Sequence, residues 1–520
     1  MKKTIIMVLI IISWVLAIGR QDIVGYTTYD WQVGGPMPTR CRTAAVCNGI
    51  HVCWVFSNFN PANDRNLGYN YYDFTTRQWR WPTGMNIYPQ RSGFGNLDYD
   101  PITGVAVASA HQSISGSLRI SCAKDQAIGS GLFEYCPGPE GFSDGIVSVG
   151  SNQAIHCAML GYNTDTLWYA RIQPWCSWTT PINICSPALT PGYSSQALAA
   201  SKVSDKVIIA WQCCHGVYPE PVYYRFSNDG GINWTQPIQL PAPAPGVSFH
   251  VSSLFVMFDN QDNFHIVASV SDTGRTAPAA IWHYSPVFNP PWSLVYRYAP
   301  ETLAAPCGYN AIFATRPSIV QSPTTGYLYI VWEQFDSLNY EPATNLARAE
   351  IWLIESSDNG QSWHHPRPIT IPNTTSKRFP AAGGVFADTL VVAYLIDSIA
   401  GFEMYNQGRA TVNPVVCHFI PLPYAQIEET TQHLISFADN CTITPNLVNS
   451  QINVHYSTSR AGEVLLKLYT PAGRLVKTIT EYRTPGKYTL TISTQDLKPG
   501  VYLLRLNLPS RSLAQKLIKR

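Results

Sequence analysis

Four arginines stand at comparable places along this 520-residue chain. Arg42 opens Arg-Thr-Ala-Ala-Val, Arg91 opens Arg-Ser-Gly-Phe, Arg316 opens Arg-Pro-Ser-Ile-Val and Arg378 opens Arg-Phe-Pro-Ala. Each precedes the first apolar strand of a repeating unit, and matching positions in a ring of units converge on its axis. Guanidiniums gathered there would present planar forks that grip a carboxylate. The bland alternative is a surface arginine, or one bound to a loop carbonyl. Other chemistries leave no motif: there is no G-x-S-x-G elbow, no H-E-x-x-H and no glycine-rich phosphate loop. No cofactor is expected and no metal-ligand spacing is present. His156, His265 and His283 lie in or beside strands, where packing is the simpler role.

The elements that must position these residues recur from about Arg40 to Pro421. Each unit has a short apolar strand, a turn, a Val/Ile/Trp-rich strand, a variable loop, a Tyr/Trp-rich strand and a final turn. The second strands stand out most clearly: 51–56, 104–108, 154–158, 206–211, 264–268, 328–332 and 389–394. Repeats of roughly 40 to 70 residues with several strands each predict propeller blades. A single blade cannot bury both of its faces, so the ring must close. The expected fold is all-β: a propeller of seven, possibly six, four-stranded blades, followed by a small Ig-like β-sandwich. Two units carry a turn of the form S-x-D-x-G-x-[S/N]-W: Ser227, Asp229, Gly231 and Trp234, then Ser356, Asp358, Gly360 and Trp363. The Asp can accept the turn's own N–H groups, the Gly supplies a positive φ, and the Trp folds back as a plug.

These turns resemble the Asp-box of sialidases and related propellers. The resemblance implies that the turns are scaffold, lying away from the functional face; neither turn has the further oxygen ligands that Ca²⁺ needs. It also implies an arginine triad holding a carboxylate, although the Arg-Ile-Pro context of the family's first arginine is replaced here by Arg42-Thr43-Ala44. An acid/base Asp in the first blade's next loop would correspond to Asp64. A Tyr nucleophile paired with a Glu has its candidates at strand ends in Glu333, Glu403 and Tyr405. Spacing alone does not choose among them.

After a Pro-flanked polar stretch the texture changes to clean alternation over six short segments between 452 and 518, the pattern of a small sandwich. Pro445-Asn446, Leu468-Tyr469 followed by Gly473-Arg474, Leu497 with Gly500 and Tyr502, and the basic ending Lys519-Arg520 resemble the C-terminal sorting domain of proteins exported by the Por, or type IX, secretion system. Such a domain is an address and not a catalyst. The expected organisation is a signal peptide over 1–19, a propeller over 20–421, a linker over 422–440 and a sorting domain over 441–520.

Composition agrees with export. Lys2 and Lys3 precede an apolar run from Thr4 to Leu16, too short to span a bilayer. Charged residues are 13 % and the net charge is +2, which argues against nucleic-acid binding. The 13 cysteines are an odd number; Cys122/Cys136 and Cys176/Cys185 could each close a short local loop, and spacing leaves the pairing open. The leading expectation is a secreted or cell-surface propeller that recognises a glycan or other extracellular polymer, with the secretion machinery as a second partner and no stable membrane span. The alternatives are a sialidase-like exo-glycosidase using Arg42 and Asp64, and a protein-binding platform at the envelope.

Overall fold

A computed structural model describes residues 19–33, 39–59, 63–164, 166–185, 196–213, 221–243, 250–271, 275–422, 440–444, 447–458, 462–470, 474–483, 486–508 and 512–520. The expected leader, most of the expected linker, Cys214, Pro445-Asn446 and the 471–473 segment lie outside these residues. The chain divides into two compact units, Met1–Tyr424 and Ala425–Arg520.

The first unit contains seven antiparallel sheets, which are the blades of a seven-bladed propeller. Their inner strands are Cys41–Ala44, Ser92–Tyr99, Phe142–Val149, Gln196–Ala200, His250–Phe258, Ala314–Gln321 and Ser376–Phe386. Each inner strand touches the next and the last touches the first, closing a ring around the axis. We number the blades in that order. The seven second strands fall where sequence places them, from Gly49–Phe56 in blade 1 to Thr389–Asp397 in blade 7. They are buried on both faces (Val207–Gln212 throughout), so they read as unbroken apolar runs. Seven of the apolar clusters are seams between adjacent blades, so every blade contributes to two of them. One seam packs Val267 and Ile281 of blade 5 against Ile330 and Trp332 of blade 6. Four blades end in outer strands of only two residues, which leaves little free edge for another chain to pair with.

Blade 7 is built from both ends of the propeller. Its outer strand is Arg20–Thr27, paired with Asn413–Pro421 from Arg20 opposite Phe419 to Thr27 opposite Asn413. The two S-x-D-x-G turns share one geometry. Gly231 N donates to Ser227 Oγ at 2.9 Å and Asn233 N to Asp229 Oδ1 at 2.9 Å; Gly360 N and Ser362 N repeat this at 2.8 and 2.9 Å. Trp234 packs edge-on to Tyr169 of blade 3, and Trp363 to His283 of blade 5, so each plug seals the seam to the preceding blade.

Neither of the two local loops is closed by a disulfide. Cys136 bonds Cys176, tying the outer strand of blade 2 to blade 3, while Cys122 and Cys185 are free and buried. Proximity across a seam, not along the chain, decides which thiols meet. The second unit stacks a three-stranded sheet, containing Gln451–Thr458 and Gly486–Ser493, with a five-stranded sheet containing Gly462–Tyr469 and Gly500–Asn507. Ile452, Val454, Leu466, Leu504 and Leu506 form its core.

Candidate functional site

In each blade the loop between second and third strands, and the link from one blade to the next, emerge at the same end of the ring. The S-x-D-x-G turns emerge at the other. The loop end is the mouth of the propeller, and most of its unusual side chains collect there.

Inner strands kink as they reach the mouth. Register shifts interrupt the ladders of blades 2, 3, 6 and 7 between Gly93/Asn96, Ser143/Ile146, Thr315/Ser318 and Arg378/Ala381. At each bulge a non-glycine residue has positive φ: Phe94 (47°), Asp144 (48°), Arg316 (54°) and Phe379 (57°). Bulges re-aim side chains, and strained backbone of this kind gathers at working sites.

Sequence groups Arg316 with Arg378 and names Glu333 separately as a strand-end carboxylate; the structure brings all three into contact. Arg316 Nη1 and Arg378 Nε each donate to Glu333 Oε2 at 3.0 Å, and Phe379 N donates to Glu333 Oε1. Glu333 was expected at an exposed strand end; it is instead buried, because the long second strand Leu328–Glu341 carries it beneath the bulge of the next blade. Burial pushes its carboxyl up, but the two guanidiniums outweigh this and leave it below the usual range. Phe335, Phe379 and Phe402 surround Arg378 at 4.9, 5.2 and 4.6 Å.

Arg42 does not join them. It pairs with His51 near the start of the second strand, whereas Arg378 pairs with Leu395 near the end of its own, so Arg42 faces the turn end. There it meets the buried Asp98 at 3.0 Å, and Lys202 Nζ reaches the same carboxylate at 2.7 Å. Asp98 also accepts from Ser148 Oγ at 3.1 Å and Val149 N at 2.8 Å, a clamp across blades 1 to 4. Asp64 stands at the mouth, where its carboxylate accepts from Ser57 Oγ at 2.6 Å and from the N–H groups of Asn58 and Phe59 at 2.9 and 3.0 Å, pinning its own loop. Arg91 is exposed at the mouth.

Tyr405, 39 % exposed, lies at the mouth in the turn Glu403–Tyr405. It stacks on Tyr309, itself 47 % exposed, with centroids 3.9 Å apart and planes at 20°. The buried Trp31 meets Tyr405 edge-on at 5.0 Å and Tyr309 at 5.8 Å. Burial and the hydroxyls of Tyr309 and Tyr29 push the Tyr405 phenol up, so it stays protonated as a donor. Two buried carboxyls hold this loop. Asp30 Oδ2 accepts from Glu403 N at 2.5 Å and Asp397 Oδ1 from Ile399 N at 3.0 Å, while the remaining oxygen of each has no hydrogen-bond partner. Burial pushes Asp30 up to about 6 and Asp397 up to about 7, with the charge of Asp30 adding to the latter.

Next to this platform sequence reasoning missed Tyr29, Arg65 and His111. Arg65 Nη1 donates to Tyr29 Oη at 3.2 Å, and its Nη2 lies 3.1 Å from His111 Nε2. The available signal was position: Arg65 follows Asp64 directly, and Tyr29 lies in a blade-to-blade link. Among the described residues no group of three or more His, Cys, Asp or Glu could hold a metal ion, and no helix is long and apolar enough to cross a membrane.

Comparison with known proteins gives the following. Residues 442–520 match the family of secretion system C-terminal sorting domains, so the chain carries an export address. No curated protein matches the chain by sequence. Among solved structures, an ulvan lyase representing a new family of polysaccharide lyase is 11 % identical, with 76 % of this chain and 96 % of that one covered and a TM-score of 0.48. An α-L-arabinanase from Penicillium chrysogenum is 11 % identical, with 64 % and 98 % covered and a TM-score of 0.39. A Hadza microbial sialidase is 12 % identical, with 69 % and 73 % covered and a TM-score of 0.36.

Proposed function

We propose that this exported propeller recognises a glycan or other extracellular polymer at its mouth. The observation that carries the reading is the stacked, exposed pair Tyr309–Tyr405, backed edge-on by Trp31. A flat aromatic surface exposed at the mouth of the ring suits stacking on sugar rings, while the phenol hydroxyls remain as polar handles. On this reading the leader is removed near residue 19, the two S-x-D-x-G turns are Asp-box scaffold, and the C-terminal domain is what the secretion machinery reads.

Binding is favoured over a sialidase-like exo-glycosidase by the state of the charged groups. Arg316 and Arg378 are both engaged by Glu333, Arg42 points to the other end, and Asp64 pins its own loop. A protein-binding platform is the remaining alternative, and a pull-down that depends on the propeller alone would support it.

The test is affinity electrophoresis of wild type, Tyr309→Ala and Tyr405→Ala through gels carrying a panel of polysaccharides. The expected result is retardation by at least one polymer, weakened about tenfold or more in the variants. Unchanged retardation in both variants would move the binding face elsewhere.

A further inference from the structure

Between blades 1 and 2 the mouth carries a guanidinium that, among the described residues, makes no ion pair. Arg65 is 9 % exposed. Its Nε donates to Ser92 O at 3.3 Å, its Nη1 to Tyr29 Oη at 3.2 Å and its Nη2 to His111 Nε2 at 3.1 Å. A guanidinium only donates, so His111 accepts through Nε2 and is neutral, with its proton on Nδ1. Burial, together with the charges of Arg65 and Arg91, holds that imidazole down at about 3. The rings of Phe94 and Tyr29 lie 5.0 and 5.5 Å from the guanidinium carbon. None of these partners is anionic. Among the described residues no carboxylate lies within the 4.0 Å ion-pair range of Arg65, and Asp144 of blade 3 acts on it only from farther away.

The backbone has made room for this charge. A Cβ at Gly93 would stand 2.5 Å from Arg65 Nη2 and 2.7 Å from its Cζ, so the glycine lets the guanidinium lie flat against the inner strand. Of the five N–H groups of an arginine, three are engaged here, which leaves one on each terminal nitrogen. An N–H on each terminal nitrogen of one guanidinium can serve two oxygens of one anion. A buried cation without a counter-charge is costly, and a ligand anion would supply the missing partner.

We propose that Arg65, with Arg91 and the Tyr29 hydroxyl beside it, is a subsite for an anionic group of the polymer, a carboxylate or a sulfate ester, so that the ligand is an acidic glycan. This rests on the reading of the mouth as the polymer-binding face. Tyr29 joins the two halves of the site: its hydroxyl contacts Arg65, and its field reaches the Tyr405 hydroxyl.

The test is affinity electrophoresis of the full chain against polygalacturonate, dextran sulfate and neutral dextran at two salt concentrations. Wild type should be retarded by one or both acidic polymers, less so at high salt, and far less by dextran. Retardation by polygalacturonate alone assigns a carboxylate, and by dextran sulfate alone a sulfate. Arg65→Gln should weaken binding about thirtyfold and Arg65→Lys, which keeps the charge but loses the fork, about tenfold. Thermal unfolding shows whether Arg65→Gln folds, and Arg65→Lys carries the test if it does not. Equal retardation by dextran and the acidic polymers, or wild-type binding in Arg65→Lys, would overturn the subsite. If Tyr405→Ala then abolishes binding that Arg65→Lys retains, the aromatic platform stands alone. Absence of retardation by every polymer would overturn both.

Discussion

Asp397 shows how a single side chain sets the behaviour of the mouth. It is almost fully buried, and it holds the N–H of Ile399 at the start of the loop that displays Tyr405. Its folded-state pKa of about 7 lies above the usual 3.8, and Asp30 at about 6 behaves alike. The native state therefore binds more protons than the unfolded chain between about pH 4 and pH 7, and the stability contributed by these groups falls as pH rises through that window. The slope is up to about 1.4 kcal/mol per pH unit for each carboxyl, and it flattens above pH 7. Asp397→Asn should remove one such slope: urea unfolding at pH 8 should show the variant more stable than wild type, with the difference shrinking toward pH 4. A constant difference across that range would mean that the Asp397 carboxyl is already ionised in the native state at low pH. Glu333 behaves differently, since the guanidiniums of Arg378 and Arg316 hold its carboxyl below the usual range despite its burial.

At the scale of the element, the turn glycines separate two costs that are usually entangled. Gly231 has φ +76° and a Cβ there would stand 1.8 Å from Tyr169 Oη; Gly326 has φ +74° and nothing within 4 Å. Gly231→Ala should cost about 2–4 kcal/mol, strain and overlap together, and Gly326→Ala only about 1–2 kcal/mol from strain alone. Equal costs in urea unfolding would mean that the plug does not depend on close approach to blade 3. These turns were legible in sequence because their function is local: Ser, Asp, Gly and Trp all act within eight residues. So were the second strands, whose burial on both faces leaves unbroken apolar runs. The inner-strand bulges were not legible, since Phe94, Asp144, Arg316 and Phe379 follow no common sequence pattern. Arg316, Arg378 and Glu333 were each picked out by position, but that both arginines would bind one Glu depended on a contact across a seam. The Cys136–Cys176 pairing was not legible for the same reason. Tyr29, Arg65 and His111 come from three separate stretches of chain, and no spacing rule connects them.

At the scale of the whole molecule, each of the two units has its own core, and the larger is a closed ring. Closure depends on Arg20–Thr27, which covers the edge of Asn413–Pro421. Deleting residues 20–27 should expose that edge and the seam packed around Val24, Trp54 and Val415. The expected outcome is a broad, non-cooperative melt with dye-binding hydrophobic surface and a tendency to aggregate, seen by calorimetry and gel filtration. A sharp melt at the wild-type temperature would mean that the other strands of blade 7 suffice to close the ring.

That closure also fixes an order of events. The strand that completes the circle is among the first parts of the chain to be made, and its partner is among the last of the propeller. Nearly the entire propeller must therefore be synthesised before its first strand finds a place, and pairing across such a separation is intrinsically slow. A chain truncated within blade 7 would still hold its first strand but have nowhere to lay it. The clasp thus acts as a proofreading step, in which only a full-length propeller can lock itself shut.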